Sequence, residues 1–134
     1  MRKKKVLIVD DELDMRTYLS TLLETSGYKP IIAIDGAEGI RKAREVKPDL
    51  IILDVMMPKE SGIRMYQQLK MDNELKHIPV IMLSAISKKT FYHSRALLNA
   101  YLGQSLAEPE AYIEKPPEPE ELFELIKNLL TPQK

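Results

Sequence analysis

Residues 6–11 read Val-Leu-Ile-Val-Asp-Asp, so four apolar side chains run directly into two aspartates. A short apolar run rich in β-branched residues is typical of a strand buried on both faces of a parallel sheet. The pattern returns at residues 50–54, which read Leu-Ile-Ile-Leu-Asp. The sequence therefore indicates buried strands that end in carboxylates.

Further apolar runs predict three more strands, and stretches with helical spacing separate all five. Pro30 lies in the second strand, at residues 28–34, and removes a backbone donor, which is tolerated mainly at a sheet edge. Five strands alternating with five helices imply an α/β fold with a parallel sheet covered on both faces. An outermost second strand favours the flavodoxin-like doubly wound (βα)5 sandwich with strand order 2-1-3-4-5. The other predicted strands are 80–83 and one around Tyr112 and Ile113; the predicted helices are 12–26, one through 37–43, one from 61, one from about 88 to 102, and one from 119.

Size and composition predict one domain over residues 1–134 with no output domain in the chain. Twenty basic residues balance twenty acidic ones, so no overall field favours direct binding of nucleic acid or a membrane. The chain has no cysteine, which excludes disulfides and thiolate metal sites and is consistent with the cytoplasm. The basic residues 2–5 precede too short an apolar run for an export signal.

Polar residues follow the predicted strands at the edge where such sheets bind ligands. The carboxyl ends of neighbouring parallel strands meet in one crevice. Strand one supplies Asp10 and Asp11, strand three Asp54, strand four Ser84 and strand five Lys115. Three crowded carboxylates raise one another's pKa unless a cation joins them, and an all-oxygen set suits Mg²⁺. The set predicts magnesium-assisted phosphoryl chemistry, with a carboxylate as nucleophile and the lysine neutralising phosphoryl charge.

Three other polar residues are given no functional role. Asp35 follows a strand, but it lies at the sheet edge before a glycine and is interpreted as a turn residue. His77 and His93 have no partner at metal-ligand or general-base spacing and are predicted to lie on the surface.

Several motifs together resemble the receiver domain of two-component response regulators. They are Val-Asp-Asp-Glu at residues 9–12, Asp-Val-Met-Met-Pro-Lys-Glu-Ser-Gly at 54–62, Ser-Ala at 84–85 and Lys-Pro at 115–116. The resemblance covers almost the whole chain. It implies that Asp54 accepts a phosphoryl group from a sensor histidine kinase or a histidine phosphotransfer protein. It also implies a cis peptide bond between Lys115 and Pro116.

The resemblance further implies roles for the residues around the acceptor. Asp11, Asp54 and the Met56 carbonyl would bind Mg²⁺, and Asp10 would help through water. Ser84 and Lys115 would hold the phosphoryl group.

The same resemblance implies a switch in which phosphorylation draws Ser84 inward and Tyr112 follows. The surface read by a downstream effector would be helix four, strand five and helix five, in a monomer or a phosphorylation-dependent dimer. The segment between Ser84 and Lys115 is several residues longer than usual in the family. Three aromatic residues of this segment are interpreted as core residues that could also contact a partner specific to this protein: Phe91, Tyr92 and Tyr101.

Other functions remain open on the sequence alone. A phosphatase of the haloacid dehalogenase type also forms an aspartyl phosphate, but its nucleophile would be Asp10, and Glu12 stands where that family has aspartate. A flavin- or nucleotide-binding protein would need a glycine-rich loop after strand one. A docking module that never takes phosphate would keep the fold without the chemistry.

Overall fold

A computed structural model of the chain describes residues 2–93 and 107–131. The five strands are β1 Lys5–Val9, β2 Lys29–Ala33, β3 Leu50–Leu53, β4 Val80–Ser84 and β5 Ala111–Glu114. The helices are α1 Leu13–Thr25, α2 Gly36–Val46, α3 Ser61–Met71 after a 3-10 turn at Pro58–Glu60, α4 at residues 88–93, and α5 Pro119–Leu130.

The strand order is β2-β1-β3-β4-β5, with every neighbouring pair parallel. This confirms the doubly wound order expected from the sequence. Pro30 lies in β2 opposite Val6 of β1, at the sheet edge where a missing donor is tolerated. The fourth helix begins at residue 88 as expected, whereas its predicted continuation through Leu97, Leu98, Tyr101 and Leu102 lies outside the described residues.

The open edge of β2 is covered by two side chains of α2. Lys42 Nζ donates to the Ile32 carbonyl, and Glu38 Oε1 accepts from the Ile34 N–H at 3.1 Å. The two side chains form an ion pair at 3.6 Å. Together they take the bonding positions that one residue of an added strand would fill, which protects the edge from pairing with another chain.

Two apolar clusters lie on opposite faces of the sheet. On one face, Val9 and Leu53 pack with Met65 of α3 and Phe91 of α4. On the other face, the strands pack against α1 and α5, with Leu19 and Ile126 fully buried. Because β3 is buried on both faces, the acidic residue that follows it is held in a rigid setting. In the part of the chain described, no helix has the length and apolarity needed to cross a membrane.

Gly62 allows α3 to begin directly against the end of β3. A Cβ atom at this position would lie 2.2 Å from the Asp54 carbonyl oxygen, which no real side chain tolerates. The glycine therefore fixes how closely α3 approaches the acidic end of β3.

Candidate functional site

The carboxyl ends of four strands bring the predicted polar residues together. The Asp54 N–H donates to the Val9 carbonyl at 2.9 Å, and the Lys115 N–H donates to the Ser84 carbonyl at 2.8 Å. These backbone bonds align the strand ends on which the site residues stand. Asp10 and Asp54 are each only 2% exposed, and Ser84 is fully buried.

Lys115 lies between the two buried carboxylates. Its Nζ is 3.0 Å from Asp10 Oδ2 and 3.3 Å from Asp54 Oδ2, while Glu12 Oε1 lies at 2.6 Å. The side chain is 10% exposed, so the ammonium is withdrawn from bulk water. The peptide bond between Lys115 and Pro116 is cis, which confirms the expectation from the family resemblance.

Each buried carboxylate is oriented by a backbone N–H two residues further along the chain. The Glu12 N–H donates to Asp10 Oδ1 at 2.8 Å, and the Met56 N–H donates to Asp54 Oδ1 at 2.9 Å. One oxygen of each group is thereby fixed, and the other faces Lys115. Arg16 of α1 also donates to the Asp10 carbonyl at 2.8 Å, which ties the first helix to the site.

The electrostatics of the site show a shortage of positive charge. Burial raises the pKa of Asp54 above its ordinary value; the hydrogen bond from Met56 lowers it, and the Asp10 charge raises it further. Burial lowers the pKa of Lys115, but hydrogen bonds to Glu12 and Asp10, together with the charges of Asp10 and Asp54, outweigh burial and raise that pKa overall. The lysine is thus held charged, yet it does not fully compensate the carboxylates around it.

The donor set fits a divalent cation. Carboxylate oxygens of Asp10, Asp11, Glu12 and Asp54 all lie within 4.8 Å of one another. Asp11 and Glu12 are exposed, so one side of the cluster is open to water. Oxygen ligands with room for water are what Mg²⁺ requires, and a dication would relieve the repulsion that one lysine leaves.

A chain of hydrogen bonds leads from Ser84 to Tyr112. The Ile86 N–H donates to Ser84 Oγ at 3.2 Å, and the Tyr112 hydroxyl donates to the Ile86 carbonyl at 2.6 Å. The peptide groups of Ile86 thus connect the two residues of the expected switch. Tyr112 is only 8% exposed. Burial raises its pKa above the ordinary value, although the neighbouring Ser84 side chain opposes this.

The predicted site residues are brought together, and the residues set aside lie elsewhere. Asp35 N-caps α2, accepting from the Glu38 N–H, while His77 and His93 are exposed. The Met56 side chain is 57% exposed, whereas its N–H orients Asp54.

Three contributors to this region had no predicted role at the site, although the predicted placement of Phe91 in the core is confirmed. Glu12 reaches Lys115, Arg16 holds the Asp10 backbone, and Phe91 stacks on Tyr112. The one available signal for Glu12 was its place directly after the two aspartates.

Comparison with known proteins identifies the family. The profile described as the response regulator receiver domain matches residues 6–127. Among curated proteins, the alkaline phosphatase synthesis transcriptional regulatory protein PhoP of Bacillus subtilis is 39% identical over 127 residues, which cover 95% of this chain and 48% of PhoP. The polar-differentiation response regulator DivK of Brucella anthropi is 42% identical over 89 residues, covering 66% of this chain and 72% of DivK.

The solved structure of the chemotaxis response regulator CheY4 of Vibrio cholerae is similar in fold as well as sequence. It superimposes with a TM-score of 0.79 at 28% identity, covering 96% of this chain and all of that one. Relatives differ in length, and the chain spans about half of PhoP. Strand order, the polar strand ends and the matched profile agree: the chain belongs to the receiver domain family of two-component response regulators.

Proposed function

We propose that this chain is a phosphorylation-activated signalling switch whose acceptor is Asp54. The observation that carries the proposal is the setting of that side chain. Asp54 is buried at the end of β3, with one oxygen fixed by the Met56 N–H and the other 3.3 Å from Lys115 Nζ. A carboxylate held in this way is oriented for attack, and the cation beside it compensates charge on an incoming phosphoryl group.

The donor is a phosphohistidine of a sensor histidine kinase or of a histidine phosphotransfer protein. An Asp54 oxygen forms the new bond to phosphorus, while the bond to the histidine nitrogen breaks and its electron pair stays on the imidazole. Lys115 neutralises charge on one phosphoryl oxygen. The Ser84 hydroxyl donates to another. The chain acts as a phosphoacceptor regulatory protein rather than an enzyme with an external substrate.

Magnesium is the proposed cofactor, held by Asp11, Asp54 and the Met56 carbonyl, with Asp10 contributing through water. When bound, Mg²⁺ supplies the positive charge that one lysine does not provide among these carboxylates. The clustering of four carboxylates around one lysine and the all-oxygen donor set support this assignment.

The phosphoryl group changes the structure through Ser84. When the Ser84 hydroxyl turns to the phosphoryl oxygen, its hydrogen bond with the Ile86 N–H is exchanged for a new one. The Ile86 carbonyl carries the change to the Tyr112 hydroxyl. A downstream effector then reads the surface of α4, β5 and α5, because phosphorylation favours one arrangement of these elements over another.

Several features of the proposal concern the whole molecule. The chain acts as one receiver domain over residues 1–134, in the cytoplasm, as a monomer or a phosphorylation-dependent dimer. Its balanced charge supports a protein effector rather than direct contact with nucleic acid or membrane.

The test is intact-mass spectrometry after incubation with phosphoramidate and Mg²⁺. The native chain and Asp10→Ala should gain one phosphoryl group, the variant more slowly, and Asp54→Ala should gain none. Labelling that survives Asp54→Ala but is lost in Asp10→Ala would instead indicate the phosphatase-type nucleophile. No labelling of the native chain would favour a docking module that takes no phosphate.

A further inference from the structure

We propose that Phe91 is a positioning residue that holds Tyr112 in its buried position and thereby sets the coupling between the phosphoryl site and the surface of α4 and β5. The coupling part rests on the proposed function, whereas the positioning part does not. The inference concerns this chain's own aromatic side chains in the segment after Ser84.

The two rings form a stacked pair. Their centroids lie 4.7 Å apart with 24° between the ring planes. Phe91 is 4% exposed and Tyr112 8%, so both rings are inside the protein. Tyr92 packs its edge against Phe91 at 5.2 Å and 76° and lies 6.2 Å from Tyr112. Phe91 therefore covers one face of the Tyr112 ring, and Tyr92 in turn packs against Phe91.

Tyr112 is also fixed at its hydroxyl end. The Tyr112 hydroxyl donates to the Ile86 carbonyl at 2.6 Å, and the Ile86 N–H donates to Ser84 Oγ. Stacking on Phe91 and bonding to Ile86 favour the same buried position of the ring. A change at Phe91 is thus expected to reach Ser84 through two hydrogen bonds.

The backbone around Phe91 is tied to the strand that carries Tyr112. The Lys88 N–H donates to Glu114 Oε1 at 2.8 Å, which links the start of α4 to the end of β5. Ser87 Oγ accepts from the Thr90 N–H at 3.1 Å, and the Phe91 N–H donates to the Ser87 carbonyl at 2.9 Å. Phe91 is therefore presented to Tyr112 by a fixed first turn of helix.

The size of the effect follows from the energetics of aromatic pairs. Loss of the stacked ring should lower the ratio of buried to exposed Tyr112 by about 2- to 10-fold. In the expected switch Tyr112 turns inward with Ser84, so the buried ring belongs to the state that binds the phosphoryl group. The affinity of the phosphoryl site for an analogue should therefore fall in proportion to the fraction of molecules in which Tyr112 is buried.

The experiment uses Phe91→Leu, which removes the ring, and Phe91→Tyr, which keeps it. Tyr28→Leu is the control, because it removes a half-buried aromatic ring that packs in the apolar cluster on the opposite face of the sheet. Exposure of the Tyr112 ring is measured by NMR of ¹³C-labelled tyrosine with a soluble gadolinium chelate, with Tyr112→Phe giving the assignment. Affinity for beryllium trifluoride in the presence of Mg²⁺ is measured on the same samples.

In Phe91→Leu the Tyr112 signal should broaden with the chelate and the affinity should fall, whereas Phe91→Tyr and Tyr28→Leu should match the native chain. If Tyr112 stays as shielded as in the native chain, or becomes exposed with no loss of affinity, the inference is wrong. Should Phe91→Leu fail to fold, Phe91→Met gives the same comparison. If the native chain itself does not bind the analogue, the proposed switch fails, and the shielding measurement still decides whether Phe91 positions Tyr112.

Discussion

Replacing Lys115 by methionine leaves two buried carboxylates without the cation between them. The ammonium lies 3.0 Å from Asp10 and 3.3 Å from Asp54, and each carboxylate side chain is 2% exposed. Methionine keeps an unbranched apolar stem of similar length, so the main change is the loss of charge. Removing one partner of a buried ion pair costs about 3–5 kcal/mol of stability, because it leaves a buried charge uncompensated.

Protonation of one carboxyl sets how the loss depends on pH. A proton on either carboxyl removes the repulsion between the two, and an aspartate has an ordinary pKa of 3.8. At about 1.4 kcal/mol per pH unit, that proton costs about 4 kcal/mol at pH 7 and about 1.6 kcal/mol at pH 5. We therefore expect Lys115→Met to lose about 3–5 kcal/mol of unfolding free energy at pH 7 and up to about 2.8 kcal/mol less at pH 5, since the second carboxylate stays charged.

The sign of the pH dependence follows from proton counting. Without Lys115, the folded chain holds a carboxyl proton at a pH where the unfolded chain has released it. The carboxyl pKa is then higher in the folded state, so stability falls as the pH rises above 3.8 towards the folded pKa. The difference from the native chain should accordingly shrink on acidification.

Urea denaturation in EDTA at pH 7 and pH 5 measures both quantities. Lys127→Met on α5 is the matched control, since its side chain is exposed and its loss should change the unfolding free energy little. Mg²⁺ at pH 7 should restore part of the stability of Lys115→Met. Equal losses at the two pH values would show that the effect is packing rather than charge, and no loss at pH 7 would mean that Lys115 does not neutralise these carboxylates.

Three further predictions concern the frame of the site. Gly62→Ala places a Cβ atom against the Asp54 carbonyl and should cost about 1–3 kcal/mol in urea denaturation, together with slower phosphoryl uptake; unchanged stability would contradict the close approach. Glu38→Ala with Lys42→Ala should uncover the β2 edge and give concentration-dependent association in sedimentation, whereas the exposed Arg41→Ala should not. The raised pKa of Tyr112 means that its contribution to stability is present below pH 10 and is lost as the pH rises through the folded pKa. Tyr112→Phe should show a smaller alkaline loss of stability than the native chain, and an equal loss would contradict the assignment.

The strand ends could be predicted because each polar residue directly follows an apolar run. Asp10, Asp54 and Ser84 continue buried strands, and parallel strands bring their carboxyl ends to one edge. Pro30 predicted the edge position of β2 for an equally local reason, the missing backbone donor.

Contacts that depend on side-chain direction could not be predicted. Helical spacing predicted that Phe91 lies on the apolar face of α4, but it could not predict that Phe91 stacks on Tyr112. The bond from Lys42 to the Ile32 carbonyl depends on how α2 crosses the sheet edge. Glu12 is an exposed side chain whose contact with Lys115 joins positions 103 residues apart in the chain, which local spacing does not indicate.

Locating the modified residue is the decisive test of the proposal that Asp54 carries the phosphoryl group. Borohydride reduces an aspartyl phosphate to homoserine, which tandem mass spectrometry can assign to one position in the chain. After treatment with phosphoramidate and Mg²⁺, we expect homoserine at position 54 and at no other aspartate. Homoserine at position 10, or at neither position, would contradict it.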